Sequence, residues 1–308
     1  MNVKKEIKPR KILFVCTGNI FRSLSAKYCL EDYIRKNNIK DTIVDSAGTI
    51  AGKEAINPIV LSELNALGID SSKHVQKKLS KKDLEDNDLV IVMAKDHLNF
   101  INKNFNFDET VLFNEVVTGD KTSILDVNEA IPDWHSHERR SERYLRRAVR
   151  YIYKKTPRLY KNLDRYFLFL DFINGRKTQK YGFPFMPLHE TKNTVSFMSI
   201  AIPQKEDGHI LVIPKKRYSH LDNIPKDVLS ELISSVAIIG KAIRKTCGGY
   251  NIIVNNGSDA GQYIFHSHFH IIPRNKNDDI KIEIWKNKKL TQDKFVSLNK
   301  KIKEIIKR

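Results

Sequence analysis

The chain has 308 residues, of which 41% are hydrophobic, and this length is enough for two domains that each bury a core. This composition excludes a chain that is disordered throughout, because such chains are poor in apolar residues. The formal net charge of +18 favours anionic ligands such as nucleic acid, phosphorylated protein or nucleotides. Lysine is spread over the whole chain, however, so a biased base composition of the gene is the commoner explanation.

Three cysteines, Cys16, Cys29 and Cys247, form an odd and sparse set without CxxC spacing. Such a set excludes a disulfide framework and a zinc-thiolate site, and it fits a reducing compartment. No apolar stretch approaches the ~20 residues that a transmembrane helix needs, and the early run ILFVC is too short for a signal peptide. The sequence therefore predicts a cytoplasmic protein without membrane association.

The first half alternates short apolar runs with longer amphipathic segments. Strands are predicted over 11–16, 42–49, 88–94 and, more weakly, 109–115, with helices over 23–37, 57–69 and 95–104. Strands without clean alternation, separated by helices, indicate a parallel sheet covered on both faces. The charged segment 136–165 has apolar residues at helical spacing and predicts a last helix on this sheet. Its arginine excess could bind phosphate or RNA, although a solvated helix face is the commoner explanation.

A first candidate site lies where the first predicted strand gives way to a helix, in VCTGNIFRS. Cys16 and Arg22 are separated by five residues, enough for a loop around one tetrahedral anion. The backbone N–H groups of such a loop and the helix N-terminus favour negative charge, on a bound phosphate and on a Cys16 thiolate. Arg22 would clamp two phosphate oxygens and Ser23 would steady the thiolate. Asp133, in IPDWHSH, would protonate the leaving oxygen.

Residues 10–160 resemble the low-molecular-weight protein tyrosine phosphatases. VCTGNIFRS is similar to their phosphate loop, VDSAGT to their second strand, and PDW to the loop that carries their acid. The resemblance implies an α/β flavodoxin-like fold, a sheet of four parallel strands with flanking helices. It implies Cys16 as the nucleophile, Arg22 as the phosphate clamp and Asp133 as general acid and then base. The implied phosphate-binding residues are Thr17, Gly18, Asn19, Ile20, Phe21 and Ser23.

Three positions depart from that family's pattern. Phe21 stands where the family usually has a second cysteine, so the protective disulfide of the oxidised enzyme cannot form. Trp134 replaces the proline that usually follows the acid. Ile50 stands near the place of an aromatic residue that walls the phosphotyrosine pocket, which leaves the choice of phosphoester open.

The second half predicts an α+β domain in which a helix crosses an antiparallel sheet. The predicted strands are 194–203, 209–216, 250–256 and 262–273, and the predicted helix is 225–247. Gly248 and Gly249 would end this helix. A terminal strand and helix are expected over 281–308.

The last of the four strands contains three histidines at every second position, His266, His268 and His270. An extended strand would place their imidazoles on one face, where they could bind zinc or attack phosphorus. The flanks favour attack on phosphorus, because the turn NNGSDAGQ can cradle a phosphate and Arg274 follows the strand. A neutral histidine nitrogen can form a nucleotidyl-histidine that water then hydrolyses.

AGQYIFHSHFHIIPR resembles the motif of the histidine triad (HIT) family, and the resemblance covers residues 166–280. It implies His268 as the nucleophile, His266 as part of its supporting network and His270 as the group that assists the leaving group. The other implied nucleotide-binding positions are His209, Asn255, Gln262 and Ser199. Ser199 stands where the family usually has an aspartate that binds ribose hydroxyls. The zinc ligands of some branches are absent from 167–185, so no metal or other cofactor is expected.

Together these features predict two fused enzymes, a phosphatase-like domain over 1–162 and a HIT domain over 166–308. The first would dephosphorylate a phosphorylated protein or an aryl phosphate through phosphocysteine. The second would hydrolyse adenine nucleotides such as nucleoside phosphoramidates, aminoacyl adenylates or dinucleoside polyphosphates. Two alternatives stay open: the HIT domain processes 5′-adenylated nucleic acid, or one domain only binds nucleotide or phosphoprotein. The second resemblance also implies a homodimer formed through the HIT domain.

Overall fold

The computed structural model describes residues 8–176, 185–201, 208–282 and 291–306. The first half contains a four-stranded parallel sheet in the order β2-β1-β3-β4, which confirms the predicted α/β class. Its strands are β1 (Arg10–Cys16), β2 (Thr42–Gly48), β3 (Leu89–Val92) and β4 (Thr110–Leu112). The last strand is shorter than predicted because a helix begins at Phe113.

Helices cover both faces of this sheet. They are α1 (Arg22–Lys36), α2 (Pro58–Ala66), α3 (Lys81–Asp86), α4 (Lys95–Phe105), α5 (Phe113–Thr118), α6 (Val127–Ala130) and α7 (Glu138–Asn162). Successive residues of β1 point to opposite faces and so enter two cores. Ile12 and Phe14 pack with apolar residues of α1 and α7, whereas Leu13 and Val15 pack with residues of α3 and α4.

The second half contains a five-stranded antiparallel sheet in the order β5-β6-β7-β9-β8. Its strands are β5 (Pro187–Glu190), β6 (Thr194–Met198), β7 (Ile210–Pro214), β8 (Gly249–Ile253) and β9 (Phe269–Arg274). Helix α9 (Lys226–Ile243) packs on this sheet through Leu232 and Val236, so the predicted α+β domain is confirmed. A further helix, α10 (Gln292–Ile306), lies where a terminal helix was predicted.

Some predictions concern residues outside the described ranges. These are most of the turn QKEDG, the end of the strand predicted over 194–203, and most of the strand predicted from residue 281. Within the described residues, no helix combines the length and the apolar character needed to cross a membrane.

The histidine-rich segment is only partly a strand, so the prediction of a strand over 262–273 is wrong for its first half. β9 begins at Phe269, and the residues before it belong to no strand. Two of their backbone N–H groups donate to carbonyls far away in sequence, from Phe265 to Arg165 at 2.7 Å and from Ser267 to Tyr218 at 2.6 Å. These tertiary partners override the local β pattern, which reports only on neighbouring residues.

Helix α8 (Asp164–Ile173) lies at the predicted domain boundary and belongs to both cores. Phe167 and Leu170 pack with the core of the first sheet. Phe169 and Ile173 pack with β6 and β7 of the second sheet. The helix follows α7 almost directly, and the two domains therefore share an element where the sequence suggested a boundary.

The two domains also meet at the amino-terminal edge of the parallel sheet. Arg10 opens β1, Asp88 precedes β3 and Glu109 precedes β4, and all three contact residues of α8 or of the second domain. Cys16 ends β1 and so lies at the opposite edge. A seven-residue strand is about 20 Å long, which sets the scale of the separation between Cys16 and this interface.

Candidate active sites

The loop between β1 and α1 is held in shape by the side chain of Asn19. This residue is fully buried and has a left-handed backbone with φ 57°, which asparagine tolerates better than most residues. Its amide nitrogen donates to the hydroxyls of Ser23 at 3.0 Å and Ser46 at 2.9 Å. Its amide oxygen accepts the backbone N–H of Lys77 at 3.0 Å. Contacts with three parts of the chain therefore fix one loop conformation.

The Cys16 sulfur lies within this loop, and only 2% of the residue is exposed. It is 2.9 Å from the Ser23 hydroxyl oxygen and accepts the backbone N–H of Asn19 at 3.3 Å. Hydrogen bonds of this kind stabilise negative charge on sulfur, which a thiolate nucleophile requires. The structure thus brings Cys16, Asn19 and Ser23 together as the sequence predicts.

Arg22 is buried beneath the same loop. One terminal nitrogen donates to the Ile124 carbonyl at 3.0 Å, and the other donates to Thr17 Oγ1 at 3.0 Å and to the Asp126 carboxylate at 2.5 Å. The Nε–H group is also buried, and it has no hydrogen-bond partner among the described residues. A buried donor without an acceptor costs free energy. A bound anion would remove this cost, because one of its oxygens could accept the hydrogen bond from Nε–H.

His97 also belongs to this site, although no sequence motif indicated it. Its Nδ1 accepts the Ala94 backbone N–H at 3.0 Å, so the neutral ring carries its hydrogen on Nε2, 3.0 Å from Thr17 Oγ1. Burial, and then the charge of Arg22, lower the pKa of His97 to about 4. Since Thr17 Oγ1 accepts from both His97 and Arg22, its own hydroxyl hydrogen can donate to a bound anion.

The three carboxylates near the predicted acid loop differ in their contacts. Asp126 contacts Arg22 and caps α6, and Glu129 of the same capping box lies 3.8 Å from Arg22. Asp133 is exposed and has a left-handed backbone with φ 54°. Its carboxylate has no ion-pair or hydrogen-bond partner within the described part of the chain. The role of Asp133 as the acid stays a prediction, and the contact of Asp126 was not foreseen.

The three positions that depart from the phosphatase pattern have different surroundings. Phe21 is buried in the core of the first sheet, and Ile50 is 70% exposed. The Trp134 ring lies 3.7 Å from that of His135. Of the remaining loop residues, Gly18 and Ile20 are half-buried.

The second site is centred on His268, which is 7% exposed. Its Nδ1 lies 2.7 Å from the His266 carbonyl oxygen, and a carbonyl can only accept, so the hydrogen is on Nδ1. Nε2 therefore carries the lone pair that a nucleophile needs. Burial lowers the pKa of His268, and this keeps the lone pair available at neutral pH.

His266 supports this arrangement from the interior. It is fully buried, its Nε2–H donates to the Pro214 carbonyl at 2.7 Å, and its Nδ1 has no partner among the described residues. Burial lowers its pKa to about 3, so the ring is neutral. The Phe169 ring of α8 lies edge-on to both His266 and His268, at 5.7 and 5.1 Å between ring centres.

His209 and His270 form a hydrogen-bonded pair beside His268. His209 Nδ1 lies 2.8 Å from the Ala201 carbonyl and therefore donates, which leaves its Nε2 to accept from His270 Nδ1–H at 2.8 Å. Burial lowers the pKa of His270 to about 3, with smaller effects from His268 and His209. The ring centres of His268 and His270 are 4.7 Å apart. The structure thus brings all four histidines of the predicted set together.

The other predicted nucleotide-binding residues lie in the loops around the histidines, and two of their side chains bond backbone groups. The Gln262 amide is committed to backbone groups of Gly257, Ser219 and Ile264, so it holds the turn in place. Asn255 is half-buried beside Gly261. The Ser199 hydroxyl accepts the backbone N–H of Ala201 at 3.2 Å.

Over the described residues, no group of three or more histidine, cysteine, aspartate or glutamate side chains has the geometry to hold a metal ion. The side chains in the two sites that could act as nucleophiles are Cys16, which accepts the backbone N–H of Asn19, and His268, whose Nδ1 donates to the His266 carbonyl.

Comparison with known families gives two matches in the order of the two sheets. Residues 11–167 match low molecular weight phosphotyrosine protein phosphatase, and residues 188–277 match the HIT domain. Adenylylsulfatase HINT3 of Arabidopsis thaliana is 44% identical over 73 residues, which is 23% of this chain and 37% of that protein. Adenosine 5′-monophosphoramidase HNT1 of Candida albicans is 36% identical over 128 residues, 39% of this chain and 82% of that protein.

The first domain is similar to an insect protein. Low molecular weight phosphotyrosine protein phosphatase 1 of Drosophila melanogaster is 35% identical over 92 residues, 29% of this chain and 58% of that protein. The match to this relative therefore spans less than two thirds of its length, as does the match to the Arabidopsis protein.

Proposed function

Because the chain belongs to the low molecular weight phosphotyrosine protein phosphatase family over residues 11–167 and to the HIT family over residues 188–277, we propose that it is a bifunctional phosphohydrolase. The first site would hydrolyse phosphotyrosine or other aryl phosphates. The second would hydrolyse an adenylyl compound, as the name of the Candida relative suggests for adenosine phosphoramidate. In each reaction a protein side chain accepts the phosphoryl or nucleotidyl group, and water then hydrolyses this covalent intermediate.

The phosphatase reaction begins with a phosphate monoester held over the loop. Arg22 Nε–H, the Thr17 hydroxyl and loop N–H groups donate to its oxygens. Cys16 Sγ attacks phosphorus and the P–O bond to the aryl group breaks, with Asp133 giving its proton to the leaving oxygen. Asp133 then takes a proton from water as the water oxygen attacks phosphorus; the P–S bond breaks, which releases phosphate and returns Cys16 as a thiolate. The observation that supports this proposal is the buried Arg22 Nε–H, which has no acceptor among the described residues and would gain one from a bound phosphate.

The HIT reaction begins with attack of His268 Nε2 on the α-phosphorus of a nucleotide. The bond to the leaving nitrogen or oxygen breaks, and water later hydrolyses the nucleotidyl-histidine. The fixed tautomer of His268, set by the His266 carbonyl, carries this proposal. The low pKa of His270 leaves its ring neutral in the free protein, without an extra proton to give, but a bound anionic phosphate would raise that pKa, so that the ring takes up a proton and can deliver it to the leaving group.

The test is hydrolysis of p-nitrophenyl phosphate and adenosine 5′-phosphoramidate by the same preparations. The Cys16→Ser variant should lose only the first reaction and the His268→Ala variant only the second, so each variant is the other's folding control. If the wild type cleaves neither compound, the proposal fails. If it cleaves only the aryl phosphate, the second domain is a nucleotide-binding module or acts on another adenylate.

A 5′-adenylated oligonucleotide added to the same assay separates the nucleic-acid alternative. Release of AMP that falls steeply with salt, and requires His268, would favour nucleic-acid processing, because contacts with phosphates are screened by ions. Insensitivity to salt would favour small nucleotides.

The dimer is also part of this proposal. Among the residues that the structure describes, β8 is an edge strand of the second sheet, and three isoleucines in it and on α9 are about half exposed: Ile233, Ile238 and Ile252. An unpaired edge beside apolar side chains can pair with a second copy. Light scattering of the purified chain should give about twice the monomer mass of 35.7 kDa, and the Ile238→Lys variant should be monomeric.

A further inference from the structure

Glu109 of the phosphatase domain is bound almost entirely by the HIT domain. Its side chain is 11% exposed and lies 3.2 Å from the Arg217 guanidinium. It accepts the backbone N–H of Ser219 at 2.9 Å, the Ser219 hydroxyl at 2.8 Å and the Asn223 amide at 2.8 Å. One carboxylate from the first domain therefore fixes the loop over residues 217–219, which we call the bracket loop.

The bracket loop in turn holds the backbone of the histidine segment. The Tyr218 carbonyl accepts the Ser267 N–H at 2.6 Å, and the Ser219 carbonyl accepts from the Gln262 amide at 2.7 Å. Arg217 lies within 3.3 Å of the Phe265 carbonyl, and its Nε–H donates to the Asp88 carbonyl of the first domain. These bonds replace the strand pairing that residues 262–268 lack.

The first domain also holds this segment from a second direction. The Arg165 carbonyl, in α8, accepts the Phe265 N–H at 2.7 Å, and the Arg165 guanidinium stacks 4.7 Å from the Phe265 ring centre. The Phe265 ring is packed in the core of the first sheet beside Tyr166. Phe265, on one side of His266, is thus attached directly to the first domain, whereas Ser267, on the other side, is attached through the bracket loop that Glu109 holds.

We infer that Glu109 is a positioning residue for the HIT reaction, so that the phosphatase domain completes the second active site. This inference rests on the proposed nucleotide hydrolysis at His268. The carboxylate acts through the bracket loop on the His266 carbonyl, which fixes the nucleophile's tautomer. A shift of about 1 Å in such a nucleophile can cost up to about 100-fold in rate.

The test compares the full-length wild type with the Glu109→Ala and Glu109→Gln variants. The matched control is Asp108→Ala, because the neighbouring carboxylate of Asp108 bonds Asn102 in its own domain. Three quantities are measured: hydrolysis of adenosine 5′-phosphoramidate, hydrolysis of p-nitrophenyl phosphate, and amide hydrogen exchange of peptides that cover 262–268.

We expect Glu109→Ala to lower kcat for the phosphoramidate by about tenfold or more, with a smaller change in KM. Exchange should become faster over 262–268, while exchange in the parallel sheet and phosphatase activity stay unchanged. Glu109→Gln keeps an acceptor for Ser219 and should lie between Glu109→Ala and the wild type. Asp108→Ala should behave as the wild type.

Two results would overturn the inference. One is an unchanged kcat together with unchanged exchange over 262–268 in Glu109→Ala. The other is an equal loss of both activities with faster exchange throughout, which would mark Glu109 as a residue of general stability. If the wild type does not cleave the phosphoramidate, the proposed function fails instead, and exchange over 262–268 alone decides whether Glu109 positions the segment.

Discussion

Removing the Asp171 carboxylate should destabilise both domains at once. Asp171, in α8, is completely buried and pairs with two guanidinium groups. Arg10 Nε donates to it at 3.1 Å and Arg176 Nε at 2.7 Å. Burial disfavours the charged form of Arg10, but the hydrogen bonds to Asp171 and the negative charge of Asp171 outweigh this effect and raise the pKa of Arg10. In Asp171→Ala, two buried cations lose this counter-charge.

Breaking a buried ion pair from one side costs about 3–5 kcal/mol, a large part of the roughly 5–15 kcal/mol that stabilises a typical domain. Urea unfolding, followed through the two enzymatic activities, should show both midpoints lowered together in Asp171→Ala. Glu85→Ala is the control, because that exposed residue pairs with Lys81 at 3.7 Å and should contribute less than about 1 kcal/mol. A loss below about 1 kcal/mol in Asp171→Ala would refute this reasoning.

Three further predictions concern the individual sites. A Cβ on Gly48 would lie 2.6 Å from a backbone oxygen of the phosphate loop, whereas a Cβ on Gly52 would meet nothing within 4 Å. We therefore expect Gly48→Ala to lower the phosphatase kcat about 100-fold and Gly52→Ala, its control, to leave kcat unchanged. Asp133→Asn should slow the hydrolysis of phenyl phosphate more than that of p-nitrophenyl phosphate, because the phenolate is the poorer leaving group and needs the proton. Asp126→Asn should slow the hydrolysis of both esters equally. An equal effect of Asp133→Asn on the two esters would contradict its role as the acid. His266 has a pKa of about 3 when folded, so between pH 3 and 6.5 the unfolded chain binds the extra proton and stability falls as pH falls. Urea unfolding should show a loss of about 2 kcal/mol from this residue between pH 6.5 and 5, and His266→Gln should show a correspondingly shallower pH dependence.

The sequence predicted those features that depend on local pattern. Cys16, Asn19, Arg22 and Ser23 come from one short loop between a strand and a helix, so their spacing was enough to bring them together. The alternation of histidines likewise indicated a shared site. The apolar runs of the first half were sufficient to predict a parallel sheet.

The features that the sequence did not predict depend on residues far apart in the chain. His97 reaches Thr17 across 80 residues, and Asp126 reaches Arg22 across 104. His97 lies in α4 and Asp126 caps the start of α6, and the pattern of neither segment gives a sign of that contact. The strand expected before Phe269 was replaced by bonds to the bracket loop and to α8, and only the folded interface specifies them.

Helix α8 also restricts how the length of this chain can vary. Each residue of an α-helix advances its neighbours by about 100° around the axis. Inserting one residue between Phe167 and Phe169 would keep Phe167 in the first core but rotate Phe169 and Ile173 away from the second. Insertions are usually tolerated between domains, where a linker absorbs them. Here the helix acts as a fixed spacer, and the insertion of a single residue in α8 would misalign the two domains relative to each other.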